Sequence, residues 1–206
     1  MFENLEANMN ENIFRISAAV ILLSAITISG YFRRKADKES GEKVSTKDEG
    51  KPIFLALRLG GLLLWFSPLI YAIAPAWMAW SKMGMPDWVR WIGVGIGLAT
   101  LGLIYWMFRS IGTGITPTVA TRKEHRLSTS GPYRWIRHPL YTFGTLAFLS
   151  LGLIADSWFI TLLAVLAFIL LATRTPNEEA HLIEKFGDEY REYMKRTGRY
   201  LPKLKF

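Results

Sequence analysis

Cysteine is absent from this 206-residue sequence, and histidine is rare, with three residues. The absence of cysteine excludes disulfides, thiolate metal ligands and a thiol nucleophile. The histidines, His125, His138 and His181, lack the spacing of a metal-binding pair, so we expect no metal site. What the sequence has in quantity is hydrophobic residues, which make up 50% of it, and its mean hydropathy is positive. Such a composition is typical of a membrane protein.

Acidic residues are also scarcer than basic ones, 17 against 25, which gives a net charge of +8. The Lys and Arg residues are clustered between apolar segments rather than along one soluble face. This pattern favours anionic lipid headgroups over nucleic acid as the partner of the basic residues. No obligate protein partner is evident from the sequence.

Five apolar segments are predicted to cross the membrane as helices, because about 20 residues of helix span a hydrocarbon core of about 30 Å. The last two come from one stretch that is too long for a single crossing and is interrupted by Asp156-Ser157, which are favourable helix N-caps. We therefore predict an all-α fold, a polytopic membrane protein whose last two spans form a short hairpin. The predicted spans are residues 13–32, 53–74, 88–108, 140–155 and 158–173.

The distribution of basic residues predicts the orientation of these spans, because cytoplasmic loops collect Lys and Arg. Segment 33–51 holds seven, segment 109–137 six, and segment 174–206 eight. We therefore expect the N-terminus outside, the C-terminus in the cytoplasm, and an active site on the cytoplasmic face. Arg15 and Arg90, at the outer ends of their spans, are expected to snorkel to the headgroups.

The segment after the last span has apolar residues at a helical period, interrupted by Gly187-Asp188. We predict two short amphipathic helices there, which fold back on the membrane surface and help to form a pocket. The whole chain, residues 1–206, is treated as a single domain. Its parts are residues 1–108, with three spans and a cytoplasmic loop at 33–52, and residues 109–206, which carry the candidate site.

Ionisable residues gather at the predicted cytoplasmic ends of the last two spans. Arg137-His138 directly precedes one span, and Arg174 lies four residues before Glu178, so that these two share a helix face. Glu179 follows as a second carboxylate. Charged groups at membrane depth are costly and mark functional sites, although aromatic and basic residues at a bilayer surface can also act as simple anchors. The two motifs together favour a site over anchoring.

In order and spacing, these motifs resemble the superfamily of isoprenylcysteine carboxyl methyltransferases and phospholipid methyltransferases. The resemblance covers roughly residues 110–202 and predicts an integral membrane enzyme that uses S-adenosylmethionine. The motifs are His125-Arg-Leu-Ser followed by Gly131-x-Tyr133, Arg137-His-Pro-Leu-Tyr141, Arg174 with Glu178-Glu179, Phe186-Gly-Asp-Glu-Tyr190, and Arg196-Thr-Gly-Arg199.

The resemblance also implies roles for individual residues, with residues 109–206 as the cofactor-binding catalytic part. It implies that Arg174 faces the methyl acceptor, and that Arg174, Glu178 and Glu179 form the catalytic group. The residues implied in cofactor binding are His125, Arg126, Leu127, Ser128, Tyr133, Arg137, His138, Pro139, Leu140, Tyr141, Glu178 and Tyr190.

The acceptor predicted first is the carboxylate of a prenylcysteine-like lipophile from the bilayer, which is ionised at neutral pH and needs only Arg174 to hold it. A phospholipid amine or a small thiol are alternatives. An amine needs a base, for which Glu179 and His138 are the candidates. Two further hypotheses are an NADPH-dependent reductase of the membrane sterol type and a non-catalytic scaffold that binds anionic lipid through its basic loops.

Overall fold

The computed structural model describes residues 2–40, 51–112 and 127–203. These residues form no β-sheet and are almost entirely helical, with two isolated backbone bridges and two 3-10 helices, at Pro75–Ser81 and Gly131–Arg134. The α-helices are α1 (Phe2–Ser40), α2 (Lys51–Ile73), α3 (Asp87–Ile111), α4 (Pro139–Ile154), α5 (Trp158–Phe186) and α6 (Asp188–Arg196).

Each of the five predicted spans corresponds to a helix, and the long apolar ones identify an integral membrane protein. Within the described part of the chain, the helices that meet the length and hydropathy of a crossing are Asn8–Glu39, Asp87–Ile111 and Trp158–Phe186. Helix α2 adds a fourth if it is counted together with the 3-10 helix after it, from which it is bent by 119°. Helix α4 has 16 residues, so that it is about 24 Å long. Five crossings therefore stay a prediction.

Close packing of α3 against α4 depends on two glycines. A Cβ atom at Gly93 would lie 2.8 Å from Leu153 Cβ and 3.0 Å from the carbonyl oxygen of Ser150, both on α4. At Gly97 it would lie 2.9 Å from the Ser150 hydroxyl oxygen on α4 and 2.6 Å from Ile21 of α1. Small residues let helix backbones approach closely in a membrane, where dispersion contacts drive helix association. These contacts explain why glycine recurs on this face of α3.

We expect Gly93→Ala to destabilise the protein by about 1–3 kcal/mol, because the added methyl group meets backbone atoms that must shift. Gly95→Ala is the matched control, since a Cβ at Gly95 has nothing within 4 Å and alanine favours a helix over glycine. Thermal unfolding of both variants in the same detergent measures the difference. Equal melting temperatures would contradict the packing role of Gly93.

The prediction that Arg90 snorkels to the headgroups is wrong. Arg90 is buried, its Nε donates to the carbonyl oxygen of Ile154 at 2.9 Å, and its Nη2 donates to the Tyr71 hydroxyl at 2.8 Å and pairs with Glu11 at 3.0 Å. The carboxylate of Glu11 makes burial of the guanidinium tolerable. Arg15 is partly exposed and donates to the last two carbonyls of α2, those of Ala72 and Ile73. Both arginines therefore join helices at the end of the bundle opposite the candidate site.

In the C-terminal half, the predicted start of α5 is confirmed and its predicted end is wrong. Ser157 is the N-cap of α5 and accepts a hydrogen bond from the Ile160 amide, as predicted. Helix α5, however, does not end near residue 173, and it continues through Pro176 to Phe186. The hydroxyl of Thr175, next to the proline, donates to the carbonyl of Leu171 one turn back. The first of the two predicted amphipathic helices is thus the end of α5, and the second is α6.

Candidate active site

The start of α4 forms one wall of the candidate site. Gly131 adopts a φ of +56°, which favours glycine, and a Cβ there would overlap the hydroxyl of Ser110. The chain then turns through Gly131–Arg134 and enters α4 at Pro139, the first residue of the helix, with His138 as the N-cap. Proline is well suited to this position because its missing amide hydrogen is not needed there. The predicted place of Pro139 is confirmed.

The segment that precedes α4 pairs with the segment that follows α6. The amide of Arg137 donates to the carbonyl of Gly198 at 2.9 Å, and the amide of His138 donates to the carbonyl of Arg199 at 3.0 Å. The amide of Gly198 donates in turn to the carbonyl of Trp135 at 2.9 Å. These backbone bonds hold the C-terminal segment and the Arg-His motif in fixed register.

Glu179 is the buried anion around which these segments are organised. Its Oε1 accepts from Arg137 Nε at 2.8 Å and lies 3.4 Å from His138 Nε2, while its Oε2 accepts from Arg199 Nη2 at 2.5 Å. The side chains of Arg137 and Glu179 are 7% and 4% exposed. Arg137 Nη1 donates further to the carbonyl of Thr197 at 2.5 Å. The carboxylate is therefore surrounded by donors from two segments, the one before α4 and the one after α6.

Glu178, one residue earlier on α5, is in a different environment. Its Oε1 accepts from the Tyr141 hydroxyl at 2.5 Å and lies 3.5 Å from Arg174 Nη2, which confirms the predicted pairing one helical turn apart. Its Oε2 lies 3.7 Å from His138 Nδ1, which is longer than a hydrogen bond. This oxygen retains the capacity to accept a donor from a ligand. The His138 ring also stacks on Tyr141, with ring centroids 5.5 Å apart.

Three tyrosines form the floor of the site on the α6 side. Tyr193 donates from its hydroxyl to the carbonyl of Tyr133 at 2.6 Å, and it packs against Tyr190 with ring centroids 5.8 Å apart. The hydroxyl of Tyr190 is buried and has no hydrogen-bond partner in the described part of the chain. Burial, and then the negative charge of Glu179, raise the pKa of Tyr190. Its phenol is therefore a neutral donor near neutral pH.

One cavity of about 730 Å³ connects these groups with the membrane helices. Its polar end is formed by His138, Tyr141, Arg174 and Glu178. From there the cavity continues between α2, α4 and α5, where its walls are apolar, formed by residues that include Leu64, Trp65, Phe148, Leu163, Ala167 and Leu170. Its volume is in the range of small-molecule binding sites, about 300–1,000 Å³. A single cavity therefore has room for a polar ligand at one end and an apolar chain at the other.

The structure brings most of the predicted site residues to this cavity. Glu179 lies behind its wall and is not among the lining residues. His125 and Arg126 lie outside the described residues. The predicted residues that line the cavity are Leu127, Ser128, Tyr133, Arg137, His138, Pro139, Leu140, Tyr141, Arg174, Glu178 and Tyr190.

Sequence reasoning gave no role to several residues that shape the site. Arg33 of α1 and Tyr193 of α6 line the cavity. Tyr200 donates from its hydroxyl to Thr175 at 2.7 Å, and Arg199 binds Glu179. Arg199 belongs to the Arg-Thr-Gly-Arg motif, so that the motif was the available signal. Among the described residues, no three His, Cys, Asp or Glu side chains are grouped closely enough to hold a metal ion.

Comparison with known proteins relates the second half of the chain to membrane methyltransferases. The family model described as phospholipid methyltransferase matches residues 88–189. Human protein-S-isoprenylcysteine O-methyltransferase is 38% identical over 102 residues, which cover 46% of this chain and 34% of the human protein. The cobalt-zinc-cadmium resistance protein CzcN of Cupriavidus metallidurans is 33% identical over 118 residues, 56% of this chain and 55% of that protein. The matched region therefore spans about half or less of the length of these relatives.

A solved structure supports the fold over nearly the whole chain. The eukaryotic intramembrane Ras methyltransferase, isoprenylcysteine carboxyl methyltransferase, superposes with a TM-score of 0.56. The superposition covers 92% of this chain and 72% of that protein, at 19% sequence identity. The arrangement of helices is therefore shared.

Proposed function

Because this chain belongs to the superfamily of isoprenylcysteine carboxyl and phospholipid methyltransferases, we propose that it transfers a methyl group from S-adenosylmethionine to a lipophilic acceptor. The acceptor that we propose is the carboxylate of a prenylcysteine-like molecule. The observation that carries this proposal is the cavity, in which a polar end with Arg174 and Glu178 opens into an apolar passage between membrane helices. A soluble donor and a lipid acceptor both find suitable surfaces there.

The residues at the polar end fit S-adenosylmethionine. The Tyr190 hydroxyl is a buried donor with no partner in the described residues, which is a costly arrangement unless a ligand accepts the bond. Glu178 lines the cavity, and its carboxylate suits an ammonium group. The ring of Tyr141 provides a face that suits an adenine ring or a cation. We propose that these residues hold the donor.

Arg174 is proposed to hold the acceptor. When bound, the cofactor supplies a methyl group on a sulfonium whose positive charge disappears as the methyl is transferred. A carboxylate acceptor needs no base, so the task of the protein is to hold its oxygen in line with the methyl carbon. The Arg174 guanidinium carries paired N–H donors that match a carboxylate. It lines the cavity beside Glu178, at 3.5 Å, which brings the two binding functions next to each other.

Glu179 is proposed to act as an anchor rather than as a base. Both of its oxygens accept hydrogen bonds from arginines, and the residue lies behind the cavity wall. A general base must come within hydrogen-bond reach of the substrate. Should the acceptor be an amine, His138 is the better candidate, since its ring lines the cavity. We propose the cytoplasm as the source of the donor, on the basis of the Lys and Arg residues in loops at this end.

Calorimetry on the detergent-purified protein tests the proposal. We expect saturable binding of S-adenosylmethionine and no binding of NADPH. Glu178→Ala should weaken cofactor binding by about 10-fold to 150-fold, because a hydrogen bond to a charged group contributes about 1.5–3 kcal/mol. Glu184→Ala is the matched control, since Glu184 is an exposed carboxylate on the same helix and does not line the cavity.

The outcomes separate the competing functions. Binding that is lost only in Glu178→Ala supports the methyltransferase site and justifies an acceptor screen that begins with prenylcysteine analogues. Binding of NADPH alone would overturn methyl transfer in favour of a reductase. If the folded protein binds neither S-adenosylmethionine nor NADPH, the result would favour a lipid-binding scaffold.

A further inference from the structure

A second space in the molecule lies outside the candidate active site. It is a groove of about 480 Å³ between α1 and α2. The groove is lined by apolar side chains, which are Leu22, Leu23 and Ile26 from α1 and Trp65, Phe66 and Leu69 from α2. Leu23 and Phe66 are 55% and 54% exposed, so that the groove opens outward. In a bilayer, a groove with these walls accommodates a hydrocarbon chain.

A cation closes one end of this groove. Arg33 is part of its lining and is the first basic residue after the apolar run of α1, which places it at the level of the headgroups. Its Nε donates to the hydroxyl of Ser29 at 3.1 Å, one turn back on the same helix, and Ser29 also lines the groove. The guanidinium is therefore directed back toward the groove. Arg34 and Lys35 follow and add positive charge. The nearby acidic residues are Asp37, whose carboxylate acts on the Arg33 guanidinium, and Glu39, which pairs with Lys35 at 3.8 Å.

The groove borders the active-site cavity. Arg33 and Trp65 line both spaces, one from α1 and the other from α2. Gly30, by contrast, lines the groove alone, and a Cβ there meets nothing within 4 Å. A ligand in the groove would therefore touch two residues of the cavity wall without entering the cavity.

We propose that this groove binds an anionic phospholipid of the bilayer, with one acyl chain between α1 and α2 and the phosphate against Arg33. The apolar lining matches the chain, and the guanidinium provides donors in the geometry that suits a phosphate. The positive charge of Arg33 also repels the choline of a zwitterionic headgroup, so that it favours a headgroup with net negative charge. The site is distinct from the proposed acceptor site, since Gly30, Leu23 and Ile26 take no part in the cavity.

Native mass spectrometry of the full chain, released from micelles that contain equal amounts of dioleoylphosphatidylglycerol and dioleoylphosphatidylcholine, tests this site. We expect phosphatidylglycerol adducts to exceed phosphatidylcholine adducts by about fivefold, the preference that one basic residue near the surface provides. Arg33→Gln should bring the ratio close to one. Gly30→Leu should reduce both adducts, because the leucine side chain fills the groove.

Matched controls separate the groove from general surface charge and from the cavity. Arg34→Gln removes the exposed neighbouring charge and should keep most of the preference. Gly102→Leu adds the same side chain at another glycine with an open Cβ position and should keep both adducts. Absence of a preference in the unaltered protein, or full adducts in a folded Gly30→Leu variant, would overturn the proposal. So would an equal loss in Arg34→Gln and Arg33→Gln.

Discussion

Arg137→Ala is expected to destabilise the folded protein by about 3–5 kcal/mol, because it leaves the buried carboxylate of Glu179 without its buried partner. The Arg137 guanidinium also donates to the carbonyl of Thr197, so the substitution releases the segment after α6 as well. In thermal unfolding this loss corresponds to a fall in Tm of roughly 10 °C. We expect binding of S-adenosylmethionine to fall with it, since His138 loses its fixed neighbour.

Arg199→Ala provides the matched comparison, since Arg199 binds the other oxygen of the same carboxylate. The Arg199 side chain is 43% exposed against 7% for Arg137. Exposed ion pairs contribute at most about 1 kcal/mol, because water screens them. We therefore expect Arg199→Ala to lower Tm by less than about 4 °C. Equal losses in the two variants would show that burial does not set the strength of these pairs.

A double variant shows whether the unpaired charge is the cause. Adding Glu179→Gln to Arg137→Ala removes the carboxylate charge that has lost its buried partner, so the double variant should regain part of the stability. Contacting residues are expected to be non-additive in this way. Full additivity of the two losses would instead point to the contacts of Arg137 with Met194 and Thr197 as the main contribution.

The sequence predicts the parts of this fold that local physics determines. Apolar segments predicted a helix at each of the five positions, Pro139 predicted the start of α4, and Ser157 predicted the start of α5. The spacing of Arg174 and Glu178 predicted their contact because a helix brings residues four apart to one face. Each of these signals lies within a few residues of the feature that it predicts.

Contacts between distant segments were not predictable in the same way. The partners Glu11 and Arg90 lie on different helices, and hydropathy alone assigned Arg90 to the lipid surface. The pairing of Arg137 with Gly198 depends on where the segment after α6 returns, and no periodicity in the sequence reports that return.

The end of α5 shows that a local signal can also mislead. The apolar run stops at Thr173, which favoured an end of the span there, and the proline at position 176 removes one helical hydrogen bond. The Tyr200 hydroxyl, from the C-terminal segment, instead binds Thr175 beside the proline. A tertiary contact supports the helix there, and local reasoning does not include it.

The second large effect concerns the separate roles proposed for Arg174, which binds the acceptor, and Glu178, which binds the cofactor. If Arg174 holds the acceptor carboxylate, Arg174→Ala should lower kcat/KM for a prenylcysteine analogue by about 10-fold to 150-fold, the effect of losing a hydrogen bond to a charged group. The Kd of S-adenosylmethionine should change by less than about threefold, since this binding does not require Arg174. Arg174→Lys should recover part of the activity, because it keeps the charge and loses the paired donors.

Glu178→Ala should show the opposite pattern, with a raised Kd for S-adenosylmethionine and a smaller change in the KM of the acceptor. The two side chains lie 3.5 Å apart, so each substitution also frees the other residue, and a double-mutant cycle is needed to separate this coupling from the direct effects. Arg191→Ala is the control, because Arg191 is an exposed arginine on α6 that does not line the cavity. Equal losses of cofactor affinity in Arg174→Ala and Glu178→Ala would contradict separate roles, and would place both residues on the cofactor side of the cavity.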